Sequence, residues 1–187
     1  MENERNLYQD LDSLLYSREQ IAQAVREMGR RIAADYEGKK PVFVCILKGA
    51  SVFFSDLIRE VDLPLEIEFM AVSSYGASTK SSGEVRLVKD LDRSILNRDV
   101  IIVEDIVDSG MTLSFLKKLL LTRGASSLRI ATLLDKPARR AVALEVDYSC
   151  FQIPDAFVVG YGLDYNEVYR NLPDIGVLSP RIYSAEA

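Results

Sequence analysis

The sequence predicts an α/β protein built on a mostly parallel, twisted sheet flanked by helices. Continuous apolar runs such as "PVFVCIL" (41 to 47) and "VIIV" (100 to 103) read as strands buried on both faces, and segments of helical periodicity fall between such runs. Strands that alternate with helices are joined by right-handed crossovers, which put helices on both sides of the sheet. Ligands of these sheets bind at the carboxyl ends of the strands. The loops to follow are therefore those near residues 47, 72, 103, 134 and 160, which carry "KGAS", "SSYG", "EDIVDSGMT", "DKP" and "GYGLD".

The elements follow in order. Ser17 and Gln20 form a capping-box pattern, and Ile21, Val25, Met28, Ile32 and Tyr36 recur at helical spacing up to Gly38, so an amphipathic helix is expected there. The strand at 41 to 47 comes next, then a helix over "SVFFSDLIRE" (51 to 60). "LEIEFMAV" (65 to 72) reads as a strand with Leu65, Ile67, Phe69 and Ala71 on one side and Glu66 and Glu68 on the other. Beyond the polar stretch "SSYGASTKSSGE" (73 to 84), strands are expected at 85 to 89, 100 to 103, 128 to 134 and 157 to 160, with a helix from Thr112 to Arg123 closed by Gly124.

With 187 residues and 21.0 kDa, the expectation is a single domain over 1 to 187, able to bury about 70 % of its unfolded surface. Its core is expected over about 41 to 160. A composition of 48 % hydrophobic and 27 % charged residues, without repeats or low-complexity tracts, is that of an ordinary globular protein. The net charge of −5 argues against a nucleic-acid surface but not against a small phosphorylated ligand. No apolar run approaches the roughly 20 residues that span a bilayer, so no membrane partner is expected. Cys45 and Cys150 lie within apolar runs, and the polar start "MENERNLYQD" lacks a signal-like segment, so a reducing, cytoplasmic location is expected. Histidine is absent, which leaves proton transfer or metal binding to carboxylates, lysine or tyrosine.

The most informative stretch is "VIIVEDIVDSGMTL" (100 to 113), where a buried strand runs into Glu104, Asp105 and Asp108 and then into a helix. The backbone N–H groups of Ser109, Gly110, Met111 and Thr112, with the two hydroxyls, can converge on an anion at that helix N-terminus, and a phosphate is the natural guest. Helix capping by Asp108 or Thr112 would account for one of these residues but not for the run of small and hydroxyl residues. A nucleoside-triphosphate loop is disfavoured, because G-x-x-x-x-G-K-[ST] is missing. Glu104 and Asp105 would repel a bare phosphate. They suit sugar hydroxyls, a bound cation or a centre that becomes positive during reaction, and phosphoribosyl transfer supplies all three.

These residues resemble the 5-phosphoribosyl pyrophosphate signature of the type I phosphoribosyltransferase family. "VCILKGASVFFSDL", "EFMAVSSYG", "LLDKP" and "FVVGYGLDYNEVYRNL" resemble the hypoxanthine-guanine branch of that family, and the likeness runs from about residue 41 to 178. It implies the type I fold, with a small hood built from the chain termini, and a transferase that joins hypoxanthine or guanine to the phosphoribosyl group with magnesium. It also implies a homo-oligomer, dimer or tetramer, with no nucleic-acid partner.

Residue by residue, the resemblance implies that Glu104 and Asp105 hold the ribose hydroxyls and that Asp108, near the purine N7, is the general base. Ser109, Gly110, Met111 and Thr112 would bind the 5′-phosphate. Lys48 and Gly49 match the pyrophosphate loop, where a non-proline cis peptide joins the positions of Leu47 and Lys48. Arg170 matches a second pyrophosphate contact, although by pattern alone it equally fits an exposed helix. Lys136 matches a donor to the purine O6, which disfavours adenine because its exocyclic nitrogen is itself a donor. Phe157 would stack on the base and Val158 would offer backbone groups to it, while both also fit a core strand. Asp164 belongs with the base site, and with Glu104 and Asp105 it is a candidate oxygen ligand for magnesium. Ser74 and Tyr75 would fold over the pyrophosphate side, making 73 to 84 a lid that keeps water from the reacting centre. Two alternatives stay open: a phosphoribosyltransferase for another purine such as xanthine, and a non-catalytic ligand-sensing regulator of the same fold.

Overall fold

A computed structural model describes residues 6–74 and 85–184. In chain order, β1 (Leu11–Tyr16) precedes α1 (Arg18–Asp35), β2 (Val42–Leu47), α2 (Ser51–Glu60), β3 (Glu66–Ser74), β4 (Val85–Lys89) and β5 (Asp99–Val107). Then follow α3 (Met111–Thr122), β6 (Ser127–Asp135), β7 (Tyr148–Gln152), β8 (Val158–Val159) and β9 (Ile175–Leu178). Six strands form one sheet in the order β4-β3-β2-β5-β6-β7, parallel except for the antiparallel edge strand β4. The expected mostly parallel α/β sheet is thus present.

The continuous apolar runs resolve into two faces because side chains alternate along a strand. Phe43, Cys45, Ile101 and Val103 point to one side, where Ile21, Val25, Phe53 and Leu57 of α1 and α2 cover them. Val42, Val44, Val100 and Ile102 point to the other, beneath Leu113, Leu116 and Leu120 of α3. The capping box that opens α1 is formed in both directions between Ser17 and Gln20. Helix α1 packs within this main core through Ile21, Val25, Met28 and Ile32.

Several expectations need correction. In β3 the alternation does not track exposure: Glu68 is buried and its carboxylate accepts the Asp92 backbone N–H at 3.0 Å, whereas Ile67 is 46 % exposed. In a sheet covered on both sides, alternation of polarity no longer marks the wet face. Strand β5 does not stop at Val103 but continues through the acids, since its pairing with β6 runs on from Glu104↔Thr132 to Val107↔Asp135. The segment at 157 to 160 is only the two-residue β8, and it leaves the main sheet for a second, antiparallel one of order β1-β9-β8. The stretch from Tyr75 to Glu84, most of the expected lid, lies outside the described residues, as does Tyr75 itself. Ser74 ends β3 opposite Val85.

Glu66, at the start of β3, ties three segments together by pairing with Lys40 at 2.7 Å and Arg98 at 3.2 Å. The Lys40 ammonium, then the Arg98 guanidinium, hold its carboxyl down at about 2 against an ordinary 4.5. A depressed carboxyl stabilises the fold above its unfolded value and loses that contribution as pH falls towards the folded value. The destabilisation by Glu66→Gln should therefore be complete at pH 6 and vanish as pH falls from about 4.5 to about 2, read from urea midpoints of both proteins. A difference that persists unchanged at pH 2 would contradict this.

Candidate active site

The carboxyl ends of β2, β5 and β6 converge on two adjoining clefts. The smaller, of about 290 Å³, is lined by Glu104, Asp105, Asp108, Ser109, Gly110 and Thr112. The larger, of about 530 Å³, contains Lys136, Phe157, Val158 and Asp164. Asp105 and Asp108 border both, so the two carboxylates stand where the contents of one cleft meet those of the other.

Around the smaller cleft, Gly110 enters α3 in the left-handed region (φ +79), and no side chain caps the helix from that position. The Met111 N–H reaches back to Ser109 Oγ at a long 3.4 Å. The helix N-terminus is thus lined by backbone donors rather than closed by a carboxylate, which suits an anion. Met111 itself points out, 41 % exposed, so only its backbone can serve the turn. Burial, then the neighbouring Asp105, pushes the Glu104 carboxyl well above the usual range, and burial pushes Asp105 up as well. Two adjacent carboxyls, Asp105 buried and Glu104 half-buried, are costly when both are charged, and positive charge above them relieves that cost. Asp105 is fixed by the Ile106 N–H at 2.8 Å.

Beside the clefts, the loop after β2 packs closely on Asp105 and on the backbone of Gly162. The peptide between Leu47 and Lys48 is cis, as the family likeness implied. A Cβ on Gly49 would stand 1.7 Å from Asp105 Oδ2, and one on Gly162 would stand 2.2 Å from the Gly49 carbonyl oxygen. Only glycine fits at either place. Arg170 lies in a turn rather than a helix, donates to the Gly162 carbonyl at 2.8 Å and pairs with Asp164 at 2.8 Å. Its Nε is buried and has no hydrogen-bond partner among the described residues. Lys48 is more exposed and pairs with Glu167 at 3.1 Å. Lys48, Gly49 and Arg170 do not line the two clefts; they stand beside them, with Arg170 against Gly49.

In the larger cleft Lys136 is buried, its Nζ donating to the Ala156 carbonyl at 2.6 Å, which leaves further ammonium protons for a ligand. Phe157 is not a core residue, since it is 41 % exposed and stacks on Tyr183 with centroids 5.1 Å apart. Val158 is buried and pairs with Val177 in the small sheet.

Residues 13–166 match the family profile of the phosphoribosyl transferase domain. The chain belongs to this family. It is 52 % identical over 176 residues to the hypoxanthine-guanine phosphoribosyltransferase of Bacillus subtilis, covering 94 % of this chain and 98 % of that one. A solved hypoxanthine phosphoribosyltransferase from Staphylococcus aureus is 50 % identical, with a TM-score of 0.93 over 97 % of this chain and 99 % of its own. The bifunctional protein TilS/HprT of Listeria innocua is 53 % identical over 179 residues, which are 96 % of this chain but only 28 % of that longer protein.

Within this phosphoribosyltransferase site several residues escaped the sequence reading. Arg140 is largely buried, pairs with Asp135 at the end of β6, and donates to the Asp108 carbonyl at 2.9 Å, so it pins the phosphate turn to the neighbouring strand. Arg139 Nε stands 2.9 Å from Asp108 Oδ1, while its NH1 pairs with Asp155 at 3.2 Å. The guanidinium therefore orients the Asp108 carboxylate. Adjacent arginines after a strand carry no period or spacing that marks a role, and Tyr183 reaches the cleft only through the chain's return from β9. Removing the ammonium with Lys136→Ala should raise KM for a 6-oxopurine about tenfold or more and leave KM for 5-phosphoribosyl pyrophosphate nearly unchanged, measured by initial rates. Equal rises in both would make Lys136 a structural residue.

Proposed function

We infer that the protein transfers the 5-phosphoribosyl group from 5-phosphoribosyl pyrophosphate to N9 of hypoxanthine or guanine, giving the nucleoside monophosphate and pyrophosphate. The observation that carries this reading is the wall shared by the two clefts, where Asp105 and Asp108 stand between a phosphate-binding turn and a base-sized pocket. In this reading the 5′-phosphate lies on the backbone of Ser109 to Thr112. The ribose hydroxyls meet Glu104 and Asp105, and the purine stacks on Phe157 with its O6 towards Lys136 and its edge towards the Val158 backbone.

As the bond from the anomeric carbon to pyrophosphate lengthens, positive charge grows over the two carboxylates, which favour that state over the neutral substrate. Asp108 takes the proton that the purine loses when N9 attacks, the role no histidine is present to fill. Lys48, Gly49 and Arg170 receive the departing pyrophosphate.

Among the described residues no group of three acidic side chains stands close enough to hold a metal ion alone, so Glu104, Asp105 and Asp164 do not form one ligand set; each would add a single oxygen to a magnesium ion carried by pyrophosphate and water. When bound, the ion offsets the charge of pyrophosphate and makes it a better leaving group. A homo-oligomer, dimer or tetramer, belongs to the same reading through the family likeness. So does a cytoplasmic setting, supported by two unpaired cysteines whose thiols burial pushes up to about 12, beyond ready reaction. No helix among the described residues is long and apolar enough to cross a membrane.

The test is nucleotide formation with 5-phosphoribosyl pyrophosphate, magnesium and each of hypoxanthine, guanine, xanthine, adenine and orotate. Product is expected from hypoxanthine or guanine and not from adenine. Product from none would overturn the enzymatic reading.

A further inference from the structure

The small sheet does more than cover the base. We propose that Asp10, through Tyr169, and Tyr8, through Asp174, are positioning residues that hold the Arg170 loop in the shape that binds pyrophosphate. The inference rests on the reading above and gives the N-terminal segment a part in the reaction.

The loop between β8 and β9 carries both Asp164 and Arg170, and its backbone is unusual. Tyr161, Asn166, Glu167 and Tyr169 all lie in the left-handed region, at φ 51, 50, 63 and 79, beside Gly160 and Gly162. Non-glycine residues rarely adopt this conformation, and it persists where the surroundings over-determine it. The restraints come from the start of the chain. The Tyr169 hydroxyl donates to Asp10 Oδ2 at 2.9 Å, and the Tyr8 hydroxyl donates to Asp174 Oδ2. Asp174 Oδ1 accepts the Arg18 N–H at 2.8 Å, and the Asp10 carbonyl accepts the Ser179 N–H at 2.9 Å. Both ends of the segment from 169 to 174 are thus tied to residues 8 to 18.

Between those anchors sits Arg170. Its carbonyl accepts the Gly162 N–H at 3.0 Å, while its NH1 donates to the Gly162 carbonyl. Gly162 in turn presses on Gly49, which in the reading above receives the pyrophosphate. Contacts therefore run without a break from Asp10 through Tyr169, Arg170 and Gly162 to Gly49. Tyr169 directly precedes Arg170, so a change in its backbone would swing the guanidinium. The Tyr169 ring is also packed with Val159, Leu172 and Leu178, and removing the hydroxyl alone leaves that packing in place.

The experiment compares Tyr169→Phe, Asp10→Ala and Asp10→Asn with wild type, measuring KM for both substrates, kcat, and the affinity for 5-phosphoribosyl pyrophosphate with magnesium by calorimetry. Tyr169→Phe and Asp10→Ala should each weaken 5-phosphoribosyl pyrophosphate about tenfold, in KM and in affinity, with KM for hypoxanthine and kcat within about twofold of wild type. Asp10→Asn keeps an acceptor oxygen and should restore most of the loss. A merely structural bond would lower the melting temperature and leave the ratio of the two KM values at its wild-type level, and that result overturns the proposal. A wild type that binds 5-phosphoribosyl pyrophosphate yet makes no nucleotide sinks the enzymatic reading alone, because the affinities of the variants still decide the positioning claim. A wild type that does neither overturns both.

Discussion

Replacing Asp108 by Asn should lower kcat about 10²–10⁴-fold while leaving the affinity for 5-phosphoribosyl pyrophosphate largely intact. The amide matches the carboxylate in shape, so the phosphate turn, held by Arg140 on the Asp108 carbonyl at 2.9 Å, keeps its backbone. What disappears is a carboxylate that borders both clefts and can accept a proton. Arg139 Nε stands 2.9 Å from its Oδ1 and orients it. The chain contains no histidine to take over the role. Single-turnover rates with saturating substrates separate the chemical step from product release, and an unchanged rate would end the assignment of Asp108 as the base.

A single methyl group at Gly162 should be nearly as damaging, by a different route. In Gly162→Ala the new Cβ would stand 2.2 Å from the Gly49 carbonyl oxygen, at a φ of +101 that L residues avoid. On its other side Gly49 packs closely on Asp105 Oδ2. The overlap is of the new Cβ with a backbone oxygen, which no rotamer change relieves. We expect a loss of about 2–4 kcal/mol in stability from strain and overpacking together, with KM for 5-phosphoribosyl pyrophosphate raised more than about tenfold. Urea unfolding and initial rates on the same preparation test both. A variant with wild-type midpoint and wild-type KM would show that this contact yields more easily than its geometry indicates.

Much of the main domain was legible because its signals are local. A capping box and a 3.6-residue period announce α1, and apolar runs bounded by turn residues announce β2 and β5. The turn after β5 was legible for a chemical reason: carboxylates beside small and hydroxyl residues at a strand-to-helix junction have few structural uses in common. The family likeness implied a hood from the chain termini, but the strands of the small sheet that forms there were not legible. β1 pairs with β9 from Leu11↔Leu178 to Tyr16↔Ile175, partners more than 150 positions apart, and β8 has only two residues. β7 was missed because "YSCFQ" mixes polar and apolar residues, whereas the equally short edge strand β4 keeps the alternation of "VRLVK".

By itself, then, the sequence determined the fold class, the order of the main strands and helices, and the chemical character of each strand-end loop, since all of these depend on composition and spacing within a dozen residues. Tertiary structure decided which loops meet. It set Asp105 and Asp108 in a wall shared by two clefts, brought Arg139 and Arg140 onto the Asp108 turn, and tied Asp10 to Tyr169 across the whole length of the chain. The physical reason is that a hydrogen bond or a van der Waals contact depends on distance in space, and sequence spacing predicts that distance only while the chain remains within one regular element.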